Sequence, residues 1–278
     1  MPELPEIEQV RKTLTPHILN KIIKRVEIRL PRMIKHPSPE VFADILVGQC
    51  IRDLKRKGKY LTFEFGTNIK LIAHLRMTGS LVVTNSEDEE PEYAKIKFEL
   101  TGGKTLWFCD IRTFGTLHLV INDDVRLTGF DNLGPEPGTK ELNVPYLQEI
   151  LKKRKASIKS IILDQEVIAG LGNIYADEAL AAAGILPQRS GDSLNEKEIE
   201  KLIKAINKVI KQGIKNHGTT FRNYKDGNGN QGRNQDYLLV YGRKGKPCKK
   251  CGAELVGTKV AGRGTTYCPD CQHSGALH

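Results

Sequence analysis

The sequence predicts an α+β chain, on three observations. Behind one amphipathic stretch, residues 1–130 hold many short apolar or alternating runs separated by turn signals. Past residue 148 the apolar spacing lengthens to the helical period, and the chain closes on short runs around two Cys-x2-Cys pairs. The expected organisation is a β-rich domain over 1–130, a linker over 131–148, a helical domain over 149–236 and a cysteine hairpin over 237–278.

The elements follow in order. Ile7, Val10, Leu14 and Ile18 recur at spacings of three and four, so 3–19 should be an amphipathic helix. Pro5 suits its first turn, and Glu3 and Glu6 complement its positive end. Strands are expected over 22–30, 60–65, 69–75, 80–84, 95–100, 105–109 and 116–121, with turns at 66–68 and 101–103. Such a series implies a β-sandwich or barrel, and acidic 87–92 an exposed loop. Gly134-Pro135-Glu136-Pro137-Gly138 marks the linker. Two short helices, over 158–165 and 174–183, flank a glycine turn, and Gly184 fits the left-handed stop of the second. Ser193 and Glu196 suggest a capping box ahead of an apolar stripe running to Ile214.

The 278 residues are 39% hydrophobic, enough for a real core, and contain no run of about 18 apolar residues that would span a membrane. The early acids and the lack of an apolar stretch argue against a secretory signal, so a soluble, cytoplasmic chain is expected. Forty-three Lys and Arg against 33 Asp and Glu give a formal charge of +10. A polyanion is the expected partner, nucleic acid ahead of acidic membrane, although a merely basic protein fits the sum alone. The charge sits in two clusters. Lys152, Lys153, Arg154, Lys155 and Lys159 form one, and seven basic residues between Arg243 and Arg263 face only Glu254 in the other. That suits a groove better than a tail.

Cys248-x2-Cys251 and Cys268-x2-Cys271, sixteen residues apart, match a four-thiolate structural zinc site. Two disulfides or four buried thiols are the alternatives, and an intracellular chain disfavours the first. Four sulfurs leave no position for a reacting water, so one structural ion would hold a hairpin together. Cys50 and Cys109 lack this context and read as core residues.

Two further features bear on chemistry. The Gly170-Leu171-Gly172-Asn173 turn opens a helix, where free N–H groups suit a phosphate, or is simply a turn between packed helices. With Met1 removed, Pro2 would present a secondary amine at a helix start. Such an amine attacks an aldehyde-level carbon to give an iminium, with Glu3 an acid beside it. Many chains begin Met-Pro without any such purpose.

Several motifs occur together and in order: Met1-Pro-Glu-Leu-Pro-Glu-Ile-Glu8, Arg56-Lys-Gly-Lys-Tyr60, His74-Leu-Arg-Met77, Asp110-Ile-Arg-Thr-Phe-Gly115, Leu133-Gly-Pro-Glu-Pro137, Gly170-Leu-Gly-Asn-Ile-Tyr175, Gly218-Thr-Thr-Phe-Arg222 and the cysteine hairpin. Over essentially its whole length the chain resembles bacterial formamidopyrimidine-DNA glycosylase, an 8-oxoguanine-DNA glycosylase with AP-lyase activity. The resemblance implies an N-terminal β-sandwich bearing the first helix, then a helix–two-turn–helix domain ending in a zinc β-hairpin. It implies a monomer without nucleotide cofactor, associated with the bacterial nucleoid, that takes damaged double-stranded DNA between the domains.

By position, the resemblance makes Pro2 the nucleophile toward C1′ and Glu3 the proton donor during base release. It makes Lys59 a phosphate contact and proton donor in β-elimination, and Arg263 the hairpin arginine that assists δ-elimination. Arg154, Lys159 and Asn173 match phosphate-gripping positions, and His74 is a further DNA contact or a core histidine. Met77, Arg112 and Phe114 resemble the trio that fills the gap left by an extruded base and reads the opposite strand. Residues 219–233, with Thr219, Thr220, Arg222 and Tyr224, correspond to the loop over the damaged base. The family commonly has Lys-His-Asp-His after the acidic loop, whereas this chain has Glu92-Tyr-Ala-Lys95, placing Tyr93 at the DNA-contacting histidine. Two other readings stand beside this one. An endonuclease VIII type for oxidised pyrimidines typically has glycine where this chain has Leu4, and a non-enzymatic zinc-ribbon DNA-binding protein would leave Pro2 and Glu3 without purpose.

Overall fold

The computed structural model describes residues 2–66, 68–122, 129–221 and 224–275. The chain divides into two compact units, one of residues 1–131 with 216–233, the other of residues 132–215 with 234–278.

The first unit opens with α1 (Leu4–Ile18), whose Ile7, Val10, Leu14 and Ile18 are all buried. Strands β1 (Ile23–Ile28) and β2 (Ile34–His36) follow, then α2 (Pro39–Leu46), β3 (Asp53–Lys57), β4 (Tyr60–Glu64) and β5 (Ile69–His74). The remaining strands are β6 (Gly79–Asn85), β7 (Ala94–Leu100), β8 (Lys104–Asp110) and β9 (Thr116–Ile121). They form a four-stranded sheet, β1-β7-β8-β6, and a five-stranded sheet, β2-β9-β5-β4-β3. Ile96, Phe98 and Phe108 from one sheet share a core with Leu61, Phe63, Leu71 and Leu119 from the other, and the apolar stripe of α1 joins them. Each buried side chain of this size contributes about 1.5–3 kcal/mol of transfer free energy, so this shared core holds the sandwich together.

Three elements of this unit escaped the sequence reading. β3 carries one fully buried side chain, Leu54, among charged neighbours, so alternation is invisible in it. β2 spans only three residues. α2 begins at Pro39 behind Ser38, whose Oγ accepts from Val41 N at 3.4 Å, a start signal that sequence does carry.

The second unit holds α3 (Val144–Lys152), α4 (Ile158–Leu163), α5 (Asn173–Ala183) and α6 (Glu196–Lys215), then the β10 (Val256–Val260) and β11 (Arg263–Tyr267) hairpin. Residues 144–148, expected in the linker, are the first turns of α3, because Asn143 Oδ1 accepts from Tyr146 N at 3.0 Å and starts the helix there. The capping box lies two residues later than expected. Asn195 Oδ1 accepts from Glu198 N at 3.0 Å and Glu198 Oε2 from Asn195 N at 2.9 Å. The Ser193 hydroxyl is engaged elsewhere, with Ser190 O and Arg189 Nε. Gly184 ends α5 at φ 72°, as its position suggested. Residues 216–233, read as part of the helical domain, belong with the first unit because their polar groups bond to α1. No described helix is long and apolar enough to cross a membrane.

Candidate active site and nucleic-acid interface

The start of α1 is organised by one buried carboxylate. Pro2 and Glu3 are both buried, and Glu3 is extended just ahead of the helix. Glu6 Oε2 accepts from Glu3 N at 2.8 Å, while its Oε1 accepts from Thr219 N at 2.7 Å. Glu6 therefore fixes both the residue beside Pro2 and the beginning of the 219–233 segment. Its sequence signal is an acid three residues after the cap, which does more here than complement the helix end.

That segment is anchored at several further points. Tyr224 Oη donates to Glu6 O at 3.3 Å, and Thr220 Oγ1 accepts from Gly232 N at 2.9 Å. Gly227 N donates to Thr13 Oγ1 at 2.8 Å. A Cβ at Gly232 would lie 2.1 Å from Gly218 O, so only glycine fits that close crossing. Burial pushes the Tyr224 phenol well above its usual range. Arg222, expected in the same segment, lies outside the described residues.

Lys59 is buried in the β3–β4 turn. Glu8 on α1 pairs with Arg56 at 3.1 Å, and Arg56 in turn donates to Gly58 O at 3.1 Å, which ties this turn to the first helix. His74 is also buried, edge-on to Tyr60 at 4.5 Å, and its Nδ1 accepts from Arg76 N at 3.0 Å. Burial, with the Arg76 and Lys59 charges, takes its pKa down to about 3, so the imidazole is neutral at ordinary pH. It has the surroundings of a core histidine. Met77, Tyr93 and Phe114 are exposed, 52% for Phe114, and the Arg112 guanidinium stacks over the Phe114 ring at 4.8 Å. Exposed rings of this kind offer faces on which bases can stack.

In the second unit the basic residues divide. Lys159 was expected on phosphate, and the structure corrects this. Its side chain is fully buried, its Nζ 2.6 Å from Asp177 Oδ1 and donating to Thr265 Oγ1 at 2.7 Å and Gly264 O at 3.1 Å. Its charge is consumed inside the protein, joining α4 to α5 and β11. Arg154 is exposed and paired with Asp164 at 2.7 Å. Asn173 opens α5 behind Gly172, and its Nδ2 donates to Gly264 O at 2.9 Å. Arg263 is exposed at the start of β11, just past a turn in which Ala261 and Gly262 both have positive φ. Glu178, beside Asp177, accepts from the N–H groups of Leu239, Val240 and Tyr241 at 2.6–2.9 Å, so α5 also holds the segment leading into the hairpin.

The four cysteines form the metal centre. Cys251 and Cys268 Sγ are 3.4 Å apart, Cys248 and Cys271 4.0 Å, and all four sulfurs lie within 4.8 Å of one another. A tetrahedral zinc with Zn–S bonds of about 2.3 Å separates its sulfurs by about 3.8 Å. The donor set fits one ion, and all four thiolates would be used in holding it.

Family models cover most of the chain. The formamidopyrimidine-DNA glycosylase N-terminal domain matches residues 1–117, the H2TH domain of the same glycosylase 133–225, and a zinc finger found in FPG and IleRS 245–273. The chain belongs to the formamidopyrimidine-DNA glycosylase family. The formamidopyrimidine-DNA glycosylase of Symbiobacterium thermophilum is 46% identical over 98% of this chain and 89% of its own length. That of Moorella thermoacetica is 46% identical over 92% of this chain and 93% of its own. Among solved structures, a Lactococcus lactis FPG mutant in complex with Fapy-dG-containing DNA superposes with a TM-score of 0.92 at 37% identity, over 98% of this chain and 100% of that one. The L. lactis protein with abasic-site DNA gives 0.91, at 37% identity over 98% and 99%. The zinc-finger match spans all four cysteines, so the sulfur cluster is the family's zinc site.

Proposed function

We propose that this protein is a base-excision glycosylase and AP lyase acting on oxidised purines, 8-oxoguanine and formamidopyrimidines, in duplex DNA. The carrying observation is Pro2-Glu3 at the start of α1, held by the Glu6 carboxylate. With Met1 removed, the Pro2 nitrogen attacks C1′ of the damaged nucleotide as the glycosidic bond breaks, and Glu3 supplies the proton that leaves with the base. The opened sugar and Pro2 form an iminium, an electron sink that acidifies the neighbouring C–H and drives β- and then δ-elimination of the strand phosphates. Lys59 contacts phosphate and donates a proton in the first elimination, and Arg263 assists the second. Met77, Arg112 and Phe114 fill the vacated stack, and Asn173 and Arg154 grip the backbone, with the protein acting as a monomer. Complexes of the relatives with Fapy-dG and abasic-site DNA support this choice of substrate.

A second reading, oxidised pyrimidines, is favoured by one observation: the L. lactis protein has also been solved with DNA containing an oxidised pyrimidine. Duplexes bearing 8-oxoguanine, formamidopyrimidine, thymine glycol or an abasic site decide between them. Borohydride should trap a covalent adduct on Pro2 with the purine lesions, and a chain retaining Met1 should bind DNA without forming it. An adduct mapped to Lys59, or undiminished trapping with a blocked N-terminus, would overturn the assignment of Pro2.

A further inference from the structure

The turns that carry Met77, Arg112 and Phe114 end on one buried side chain, whose own backbone also bonds to Tyr93. Asp110 closes β8 and is 1% exposed. Its Oδ1 accepts from Thr78 Oγ1 at 2.5 Å and from Arg112 N at 3.2 Å, and its Oδ2 from Gly115 N at 2.7 Å. Thr78 Oγ1 accepts in turn from Arg112 N at 3.0 Å, and Asp110 N donates to Tyr93 O at 3.0 Å. Both turns are closely packed at a glycine. A Cβ at Gly79 would lie 2.4 Å from Leu75 O, and one at Gly115 2.6 Å from the Phe108 ring.

We infer that Asp110 is a positioning residue that couples these turns into one unit, so that discrimination of the base opposite the lesion depends on it. The inference rests on reading Met77, Arg112 and Phe114 as the groups that enter the duplex. The chemistry requires a carboxylate, which only accepts, and here three donors from two turns converge on it. An asparagine has the same shape but carries two N–H bonds on one terminal atom. One buried donor would then face another donor, and that turn would come loose from its neighbour.

The test compares Asp110→Asn, Thr78→Val and Arg112→Ala with the unaltered protein. Each is assayed for excision with each of the four bases opposite the lesion and for cleavage of a ready-made abasic site, with thermal unfolding followed in parallel. In Asp110→Asn the ratio between the best and worst opposite base should shrink about tenfold, the worth of one hydrogen bond to a charged group, while abasic-site cleavage is retained. Thr78→Val, which keeps the carboxylate and its backbone bonds, should lose part of the same discrimination, and it decides the matter if Asp110→Asn does not fold. Unchanged discrimination in a folded Asp110→Asn or, failing that, in Thr78→Val overturns the coupling, as does an equal loss of both activities. If Arg112→Ala also leaves discrimination intact, the strand-reading role of these turns falls, and this inference with it.

Discussion

Lys159 Nζ lies 2.6 Å from Asp177 Oδ1, and neither side chain reaches solvent. Thr265 and Gly264 of the hairpin complete the ammonium's bonds, and Thr266 N donates to the second oxygen of Asp177 at 3.1 Å. Burial still pushes the Asp177 carboxyl up to about 6, against the pull of Lys159. A lysine from the basic cluster thus docks the zinc hairpin on α5.

Lys159→Met should therefore act on stability and not on phosphate contact. Removing one partner of a buried pair costs about 3–5 kcal/mol, whereas replacing both by apolar residues of similar volume is close to neutral. Lys159→Met should lower the melting temperature and Lys159→Met with Asp177→Leu should recover most of it. The salt dependence of DNA binding should keep its slope, since a residue that touches no phosphate releases no counterion. A slope flattened by about 0.9 in Lys159→Met would put this lysine at the interface after all.

Zinc removal should unmake the hairpin. The small cluster beside the β10–β11 hairpin has three buried members, Val240, Leu255 and Cys268, too little to fold alone. Cys268→Ser, or chelation, should expose the amides of β10 and β11 to hydrogen exchange and weaken DNA binding by disordering the turn that presents Arg263. Tight binding by fully zinc-free protein would contradict a structural role for the metal.

Glu6→Ala should free both segments that this carboxylate joins. The N–H groups of Glu3 and Thr219, both on buried residues, lose their acceptor, at about 1–3 kcal/mol each. Faster hydrogen exchange at Thr219 N, together with a lower melting temperature, is the expected signature. Glu6→Gln should be intermediate, because one end of the amide still accepts.

Acid should destabilise the first unit through two histidines, buried His74 and half-buried His118. His74 has a folded pKa of about 3 and His118 of about 4, against 6.5 for a free imidazole, in both cases chiefly from burial. Below about pH 6.5 the unfolded chain takes up protons that the folded chain refuses. The stability these groups contribute is complete above that pH and is lost as pH falls toward 4, by up to about 1.4 kcal/mol per pH unit for His74. Urea midpoints of the unaltered protein should fall toward those of His74→Asn as pH drops from 7 to 4.5. Parallel curves would show that His74 is already charged in the folded state.

The sandwich strands were legible because alternating burial leaves a two-residue period, as in β7 with Ile96, Phe98 and Leu100 inside. β3 was not, since Leu54 alone is fully buried in it and the other side chains of this edge strand are charged. The capping box was misplaced because Ser193-x-x-Glu196 and Asn195-x-x-Glu198 are equally good patterns, and only the competing bonds of Ser193 to Ser190 and Arg189 separate them.

The α+β class, the opening helix with Pro2 and Glu3 before it, the glycine turn into α5 and the four zinc cysteines are all readable from the residues alone. Each of these is written in short local patterns, single or paired, where spacing sets which side chains share a face or a turn. The partners of the buried charges emerge only once the chain has folded. Lys159 meets Gly264 across 105 residues of chain, Glu6 meets Thr219 across 213, and Asp110 meets Thr78 across 32. A charged side chain looks the same in the sequence whether it ends in water or against a partner. The desolvation that makes the partner obligatory exists only once the chain has closed around it.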